Sequence, residues 1–165
     1  MRILETRVLQ WPDEAATQAF CARLALVLQT HPSLMNASIE LHGSLGAGKT
    51  SWVRHLLRAL GVEGRIKSPS YAVMESYELP LGLVSHFDFY RFDDPREWED
   101  AGFRDVFAAS GLKLSEWPEK AAGMLPTPDL QIWIATQADE SRSVKLVAGT
   151  EGGVALLQIL EGVRS

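Results

Sequence analysis

The chain has 165 residues, 46% of them hydrophobic, and a formal net charge of −5, a length that accommodates one substantial core and not two ordinary ones, so a single domain over residues 1–165 is expected. Its 16 Lys and Arg are outnumbered by 21 Asp and Glu and never stand side by side, which argues against the chain gripping nucleic acid by itself. No apolar run approaches the roughly 20 residues that cross a bilayer, the start Met1-Arg2-Ile3-Leu4-Glu5 lacks the shape of a secretory signal, and the lone Cys21 has no mate for a disulfide or zinc pair; a cytoplasmic protein without membrane contact is expected.

In chain order, Ile3 to Leu9 is a strand candidate. Pro12-Asp13-Glu14 then starts a helix whose apolar stripe is Ala16, Phe20, Leu24, Val27 and Leu28. Cys21 falls beside that stripe and is expected as a small buried residue. Ser38 to His42 reads as a short strand, and from Lys49 to Leu60 the residues Trp52, Leu56 and Leu60 recur every four positions beside Val53 and Leu57, with Gly61 as terminator. Gly64 to Ser70 is polar and carries Pro69, which favours a loop. Tyr71 to Tyr77 and Leu83 to Phe89 alternate as strands. Asp94-Pro95 predicts a helix start, followed by Trp98, Ala101, Phe103, Val106 and Phe107 and ended by Gly111. Leu112 to Ser115 is a strand feeding Glu116-Trp117, and Pro118 stops it. Leu130 to Thr136 and Ser143 to Val147 look like an antiparallel pair; Val154 to Leu160 fits either a helix or a last strand. A βα unit with hairpin-like strands on both sides predicts an α/β sandwich with a mixed parallel and antiparallel sheet.

Between the strand ending at His42 and the helix opening at Lys49 lies Gly43-Ser44-Leu45-Gly46-Ala47-Gly48-Lys49-Thr50, a complete phosphate-binding loop of the form G-x-x-x-x-G-K-S/T. Each part answers a separate need of a nucleoside triphosphate. The glycines free the backbone N–H groups to turn around an anion, Lys49 brings a cation to the β- and γ-phosphates, and the Thr50 hydroxyl is a ligand for Mg²⁺. The helix places its positive end beneath the phosphates. An enzyme built on such a loop also needs carboxylates for the metal and the attacking water or acceptor. Asp88, in His86-Phe87-Asp88-Phe89-Tyr90-Arg91, and Glu116 both end strands, and strand carboxyl ends are where open α/β sheets bind ligands. The acidic group Asp93, Asp94, Glu97, Glu99 and Asp100 is explained by the first turns of a helix. His42 and His86 read as structural residues, His86 as a buried, hydrogen-bonded one. Arg91 and Arg142 fit either cations that reach phosphate or members of surface ion pairs, and Trp117 is available for base stacking or packing. Guanine-specific loops use an Asn-Lys-x-Asp segment; the only asparagine here is Asn36, followed by Ala37. ATP is therefore the expected nucleotide.

The phosphate loop, then Lys67-Ser68-Pro69-Ser70-Tyr71, then His86-Phe87-Asp88-Phe89-Tyr90-Arg91, then Glu116-Trp117-Pro118, in this order and spacing, resemble the TsaE family of small bacterial ATPases of tRNA threonylcarbamoyladenosine synthesis. The likeness runs over nearly the whole chain and implies a phosphate-loop NTPase-type three-layer sandwich. It implies a Mg²⁺-dependent ATPase working with TsaB and TsaD, which together attach a threonylcarbamoyl group to an adenosine of tRNA, the tRNA being reached through the complex. It also implies roles: Leu45, Gly46, Ala47, Gly48, Lys49 and Thr50 around the nucleotide, Thr50 and Glu116 on Mg²⁺, Lys49 and Asp88 as catalytic groups, and Ser68-Pro69-Ser70-Tyr71 as a switch-like segment. Glu14 and Arg142 match places where the family contacts nucleotide, Arg142 in the loop between the late strands. The chain departs at Ser44, where the family usually has Asp, and at Ser70, where Thr is usual.

No arginine finger is obvious in cis, and such a residue is worth about 10³–10⁵ in rate, so slow hydrolysis by the chain alone is expected. The rivals are a small-metabolite kinase, which usually has an Arg-rich lid, and a nucleotide-sensing module that never hydrolyses ATP.

Overall fold

The computed structural model describes residues 1–66, 69, 73–94, 96 and 102–163. Its seven strands are β1 (Glu5–Trp11), β2 (Ser38–His42), β3 (Met74–Leu79), β4 (Gly82–Asp88), β5 (Leu112–Glu116), β6 (Leu130–Thr136) and β7 (Arg142–Ala148). They form one sheet in the order β1-β7-β6-β2-β5-β4-β3. Neighbours β6, β2, β5 and β4 run parallel, while β1, β7 and β3 join antiparallel to their partners. The sheet is mixed, as its sequence pattern predicts. β2, at the middle of the parallel part, is buried or nearly so along its whole length, as a strand covered on both faces must be.

Among the described residues four α-helices are bounded: α1 (Glu14–Thr30), α2 (Lys49–Ala59), α3 (Phe103–Ala108) and α4 (Glu151–Gly162). Asp13 caps α1 by accepting from the Ala16 N–H at 2.9 Å. The stripe Phe20, Leu24, Val27 and Leu28 is buried together with Cys21, so the cysteine is a core residue. Its thiol pKa is pushed up by burial. Helices α1, α2 and α4 press Leu24, Leu56 and Leu157 onto Ile39, Leu41, Ile132 and Leu146 of the sheet, forming the large core. A smaller cluster of Phe87, Phe89, Phe92, Phe103 and Ala121 occupies the other face beneath α3, with Trp117 packed against it. Beyond that cluster the described residues leave part of the second face exposed. There the register aligns Val8, Lys145, Trp133 and His42 across four strands, and Val8 and Trp133 are exposed.

Several details differ from the sequence reading, β4 and β7 by single residues at their ends. β1 runs two residues later than expected at each end because its ladder is set by β7, with Trp11 opposite Arg142. The strand expected from Tyr71 is β3, starting at Met74; Tyr71 itself is outside the described residues. The segment left open between helix and strand is α4, capped by Thr150, whose hydroxyl accepts from the Gly153 N–H at 3.1 Å. Of the helix expected after Asp94, the structure describes α3, preceded by Gly102, and the Arg96 N–H donating to Asp94 Oδ1 at 2.9 Å. Pro95, Glu97, Trp98, Glu99, Asp100 and Ala101 lie outside the described residues, as do Lys67, Ser68 and Ser70 of the switch-like segment.

Candidate functional site

β2 delivers the phosphate loop from the centre of the sheet, and register then fixes its neighbours. Leu41 lies opposite Glu116, and Glu116 opposite Asp88. Both acids thus reach the carboxyl ends of adjacent parallel strands at the level where the loop begins, which is where ligands bind in such sheets. A cleft of about 300 Å³ joins them: it is lined by Gly46, Gly48, Lys49, Thr50, Asp88 and Glu116, with Leu45, Tyr90, Trp117 and Arg142 at its sides.

Lys49, only 4% exposed, is the first residue of α2. Its Nζ donates to the Gly43 carbonyl at 2.5 Å and stands 3.3 Å above the centre of the Trp117 ring. Burial lowers its pKa, while the carboxylates of Glu116, Glu119 and Asp88 work in the opposite direction. Trp117 takes a left-handed backbone conformation, φ 56°, ψ 47°. That is costly for a side chain of this size, and such strain concentrates at functional clefts. Trp117 packs against the phenylalanine cluster, as the packing reading expects, with its ring beneath the loop lysine.

The Thr50 hydroxyl donates to Glu116 Oε1 at 2.7 Å, and His86 Nε2 meets the other carboxylate oxygen, Oε2, at 2.6 Å. His86 and Glu116 are 1% and 2% exposed. Asp88 Oδ1 accepts from the Tyr90 N–H at 3.0 Å. Burial raises the Asp88 pKa; the Tyr90 N–H opposes this, and the Glu116 charge adds to it.

On the far side of the loop, Arg142 Nη1 donates to Glu14 Oε2 at 3.2 Å, and Glu14 Oε1 bonds His55 Nε2 at 2.7 Å. A β-carbon built on Gly48, whose φ is 103°, would fall 2.7 Å from the Arg142 guanidinium carbon, so only glycine lets that cation lie against the loop. Arg142 is the first residue of β7 rather than a loop residue, held by pairing with Thr136 and Trp11. A second hollow of about 480 Å³, bounded by Trp11, Glu14, Gly46, Thr136, Asp139 and Arg142, adjoins the cleft on this side.

All the residues predicted for nucleotide and metal, apart from Glu14 and Ala47, line the one cleft; Glu14 reaches it through Arg142, and Ala47 is buried beneath the loop. Of the two arginines weighed for phosphate, Arg142 lines the cleft. His42 is structural: it stacks on Trp133 at 4.0 Å and bonds Glu40 at 3.0 Å. Tyr90, His55 and the contact of His86 with Glu116 are absent from the sequence-based site. Spacing offers no signal for the latter two, whose partners lie on other elements.

A strand, a phosphate loop, a helix and two strand-end acids define a P-loop NTPase-type α/β domain. The chain superposes on the crystal structure of Bacillus subtilus YdiB with a TM-score of 0.81, covering 98% of each chain at 22% identity, which establishes the fold. A family model described as "Threonylcarbamoyl adenosine biosynthesis protein TsaE" matches residues 11–144, so the chain belongs to the TsaE family. Relatives carrying the name tRNA threonylcarbamoyladenosine biosynthesis protein TsaE include one from Haemophilus influenzae, 39% identical over 86% of this chain and 89% of its own length. One from Bacillus subtilis is 33% identical over 67% of this chain and 68% of its own length.

Proposed function

We propose that the protein is a Mg²⁺-dependent ATPase that serves threonylcarbamoylation of tRNA together with TsaB and TsaD, leaving the acyl transfer to a partner. The observation that carries this reading is the single cleft in which Lys49 and Thr50 face two acids from neighbouring strands. Lys49 binds the β- and γ-phosphates, the loop N–H groups surround them, and Arg142 supports the charge from the side. Glu14 orients Arg142. Thr50 and Glu116 fit a magnesium ion: a hydroxyl and a carboxylate oxygen already converge at 2.7 Å. Mg²⁺ typically takes one or two protein oxygens and completes its shell with phosphates and water, so no all-protein cage is needed. Among the described residues there is none, in that no three His, Cys, Asp or Glu side chains converge. The ion would neutralise charge developing on the phosphates. Asp88 stands where a base or water-orienting group is required, its raised pKa bringing it nearer the range of a useful proton acceptor.

Lys49 lies against Gly43 and Trp117, and Arg142 is tied to Glu14. Slow turnover by the chain alone is expected, with partners supplying what a catalytic arginine would add. The acidic composition suits a subunit that leaves the grip on tRNA to others. Among the described residues no helix is long and apolar enough to cross a membrane.

The test is ATP hydrolysis with Mg²⁺, alone and with TsaB, TsaD and substrate tRNA, using Lys49→Ala as control. Stimulation of about 10-fold or more by the partners, lost in the control, is the expected result. Transfer of labelled γ-phosphate to a metabolite instead of water would replace this reading by that of a kinase.

A further inference from the structure

We infer that His86 is a positioning residue for the metal-binding carboxylate: it holds Glu116 Oε2 so that Oε1 is presented to Thr50 and the metal. The inference rests on the reading of the cleft as a Mg²⁺–nucleotide site. β4 alternation puts Val84, His86 and Asp88 on the face covered by helices, and register places His86 in a row with Leu114 and Ile39. Val84, Leu114 and Ile39 are fully buried and apolar. A leucine or phenylalanine would suit that position as a matter of packing, since a buried imidazole must be desolvated. His86 recovers only part of that cost. An ionised carboxylate can only accept, so Nε2 carries the proton toward Glu116, and Nδ1, also buried, has no partner among the described residues. A ring kept in an apolar row for one hydrogen bond points to the value of that bond.

Its value lies in what Glu116 must do. The carboxylate is 2% exposed and has a protein partner for each oxygen, Thr50 on Oε1 and His86 on Oε2. When the hydroxyl and Oε1 turn to a metal, the bond from His86 is the one that remains to fix the plane of the carboxylate. Loss of such an outer partner typically costs 10–100-fold in metal affinity.

Two amide substitutions separate reach from polarity. The nitrogen of His86→Gln extends to the position of Nε2, whereas that of His86→Asn stops near Nδ1 and cannot reach Glu116. Mn²⁺ affinity, read by electron paramagnetic resonance on protein saturated with a non-hydrolysable ATP analogue, should fall about 10-fold or more in His86→Asn and stay within about threefold of wild type in His86→Gln. Nucleotide affinity in excess chelator should be the same in all three. Equal Mn²⁺ affinity in His86→Asn and wild type, or equal losses in both variants, overturns the inference and leaves the site reading intact. Failure of the wild-type protein to bind Mn²⁺ with nucleotide overturns the site reading and the inference with it. Should His86→Asn not fold, the imidazole ¹⁵N spectrum of the wild type decides: a proton on Nε2 and a resonance shift on adding Mg²⁺ to the nucleotide complex are expected, and an unmoved resonance overturns the inference.

Discussion

The apolar cluster between the sheet and helices α1, α2 and α4 is broad and mostly aliphatic, whereas the one on the opposite face is small and built largely from phenylalanine. The first spans most of the sheet and ties together residues from Trp11 to Leu160. The second lies behind the site alone. Phe87 and Phe89 flank Asp88 in sequence and stack at 5.6 Å, Phe103 meets Phe87 edge-on at 5.4 Å, and Trp117, next to Glu116, packs on the same group. Such aromatic pairs hold preferred offset or edge-to-face geometries and add about 0.5–1.5 kcal/mol each beyond the area they bury. The larger cluster carries the stability of the fold, and the smaller one sets the position of the two acids.

That division can be broken by substitution. Leu24→Ala, in the larger cluster, should lower the unfolding free energy by about 2–5 kcal/mol in urea titrations while nucleotide affinity of the folded protein changes little; a matching loss of affinity would mean the clusters are not separable. Phe103→Leu, in the smaller one, should cost only about 1 kcal/mol of stability yet slow partner-stimulated hydrolysis about tenfold through displacement of Asp88. An unchanged rate would deny the aromatic group its placing role.

The finest test concerns Asp88. Burial raises its folded pKa above the unfolded value of about 3.9, so the ionised side chain is a liability to the fold at neutral pH. The penalty is absent while both states are protonated, grows as pH rises from the unfolded value towards the folded one, and is complete above the folded value. Asp88→Asn keeps the Tyr90 N–H satisfied and should melt a few degrees above wild type at pH 7 but level with it at about pH 3. A stability gain that persists at the lower pH would point to packing rather than charge.

The strand-loop-helix unit, the two strand-end acids and the apolar stripe of α1 were legible in the sequence because each follows a local period of two or 3.6 residues or a fixed motif. What was not legible depends on distant partners. Glu14 meets His55 from 41 residues away and Arg142 from 128 residues away, and nothing in the spacing announces that Trp117 turns left-handed to lie under Lys49. The ambiguity over α4 has a packing origin. Gly152 and Gly153 weaken its start as a helix signal, yet a β-carbon on Gly153 would fall 1.8 Å from the Asp129 carbonyl oxygen, so the close approach to β6 excludes any larger residue there. Propensity gave way to contact at that position.

The order of strands also governs when the molecule can come into being. β1, which precedes the other six strands in sequence, pairs only with β7, while β2, which bears the phosphate loop, is flanked by β5 and β6. Neither early strand has a lasting neighbour until strands far later in the sequence have been made. Such distant pairings must meet the entropy of closing long loops before any contact rewards them, which makes folding slow. During translation the glycine-rich loop and the helix behind it therefore emerge before the strands that will flank them, and the cleft can form only once β5 and β6 have followed.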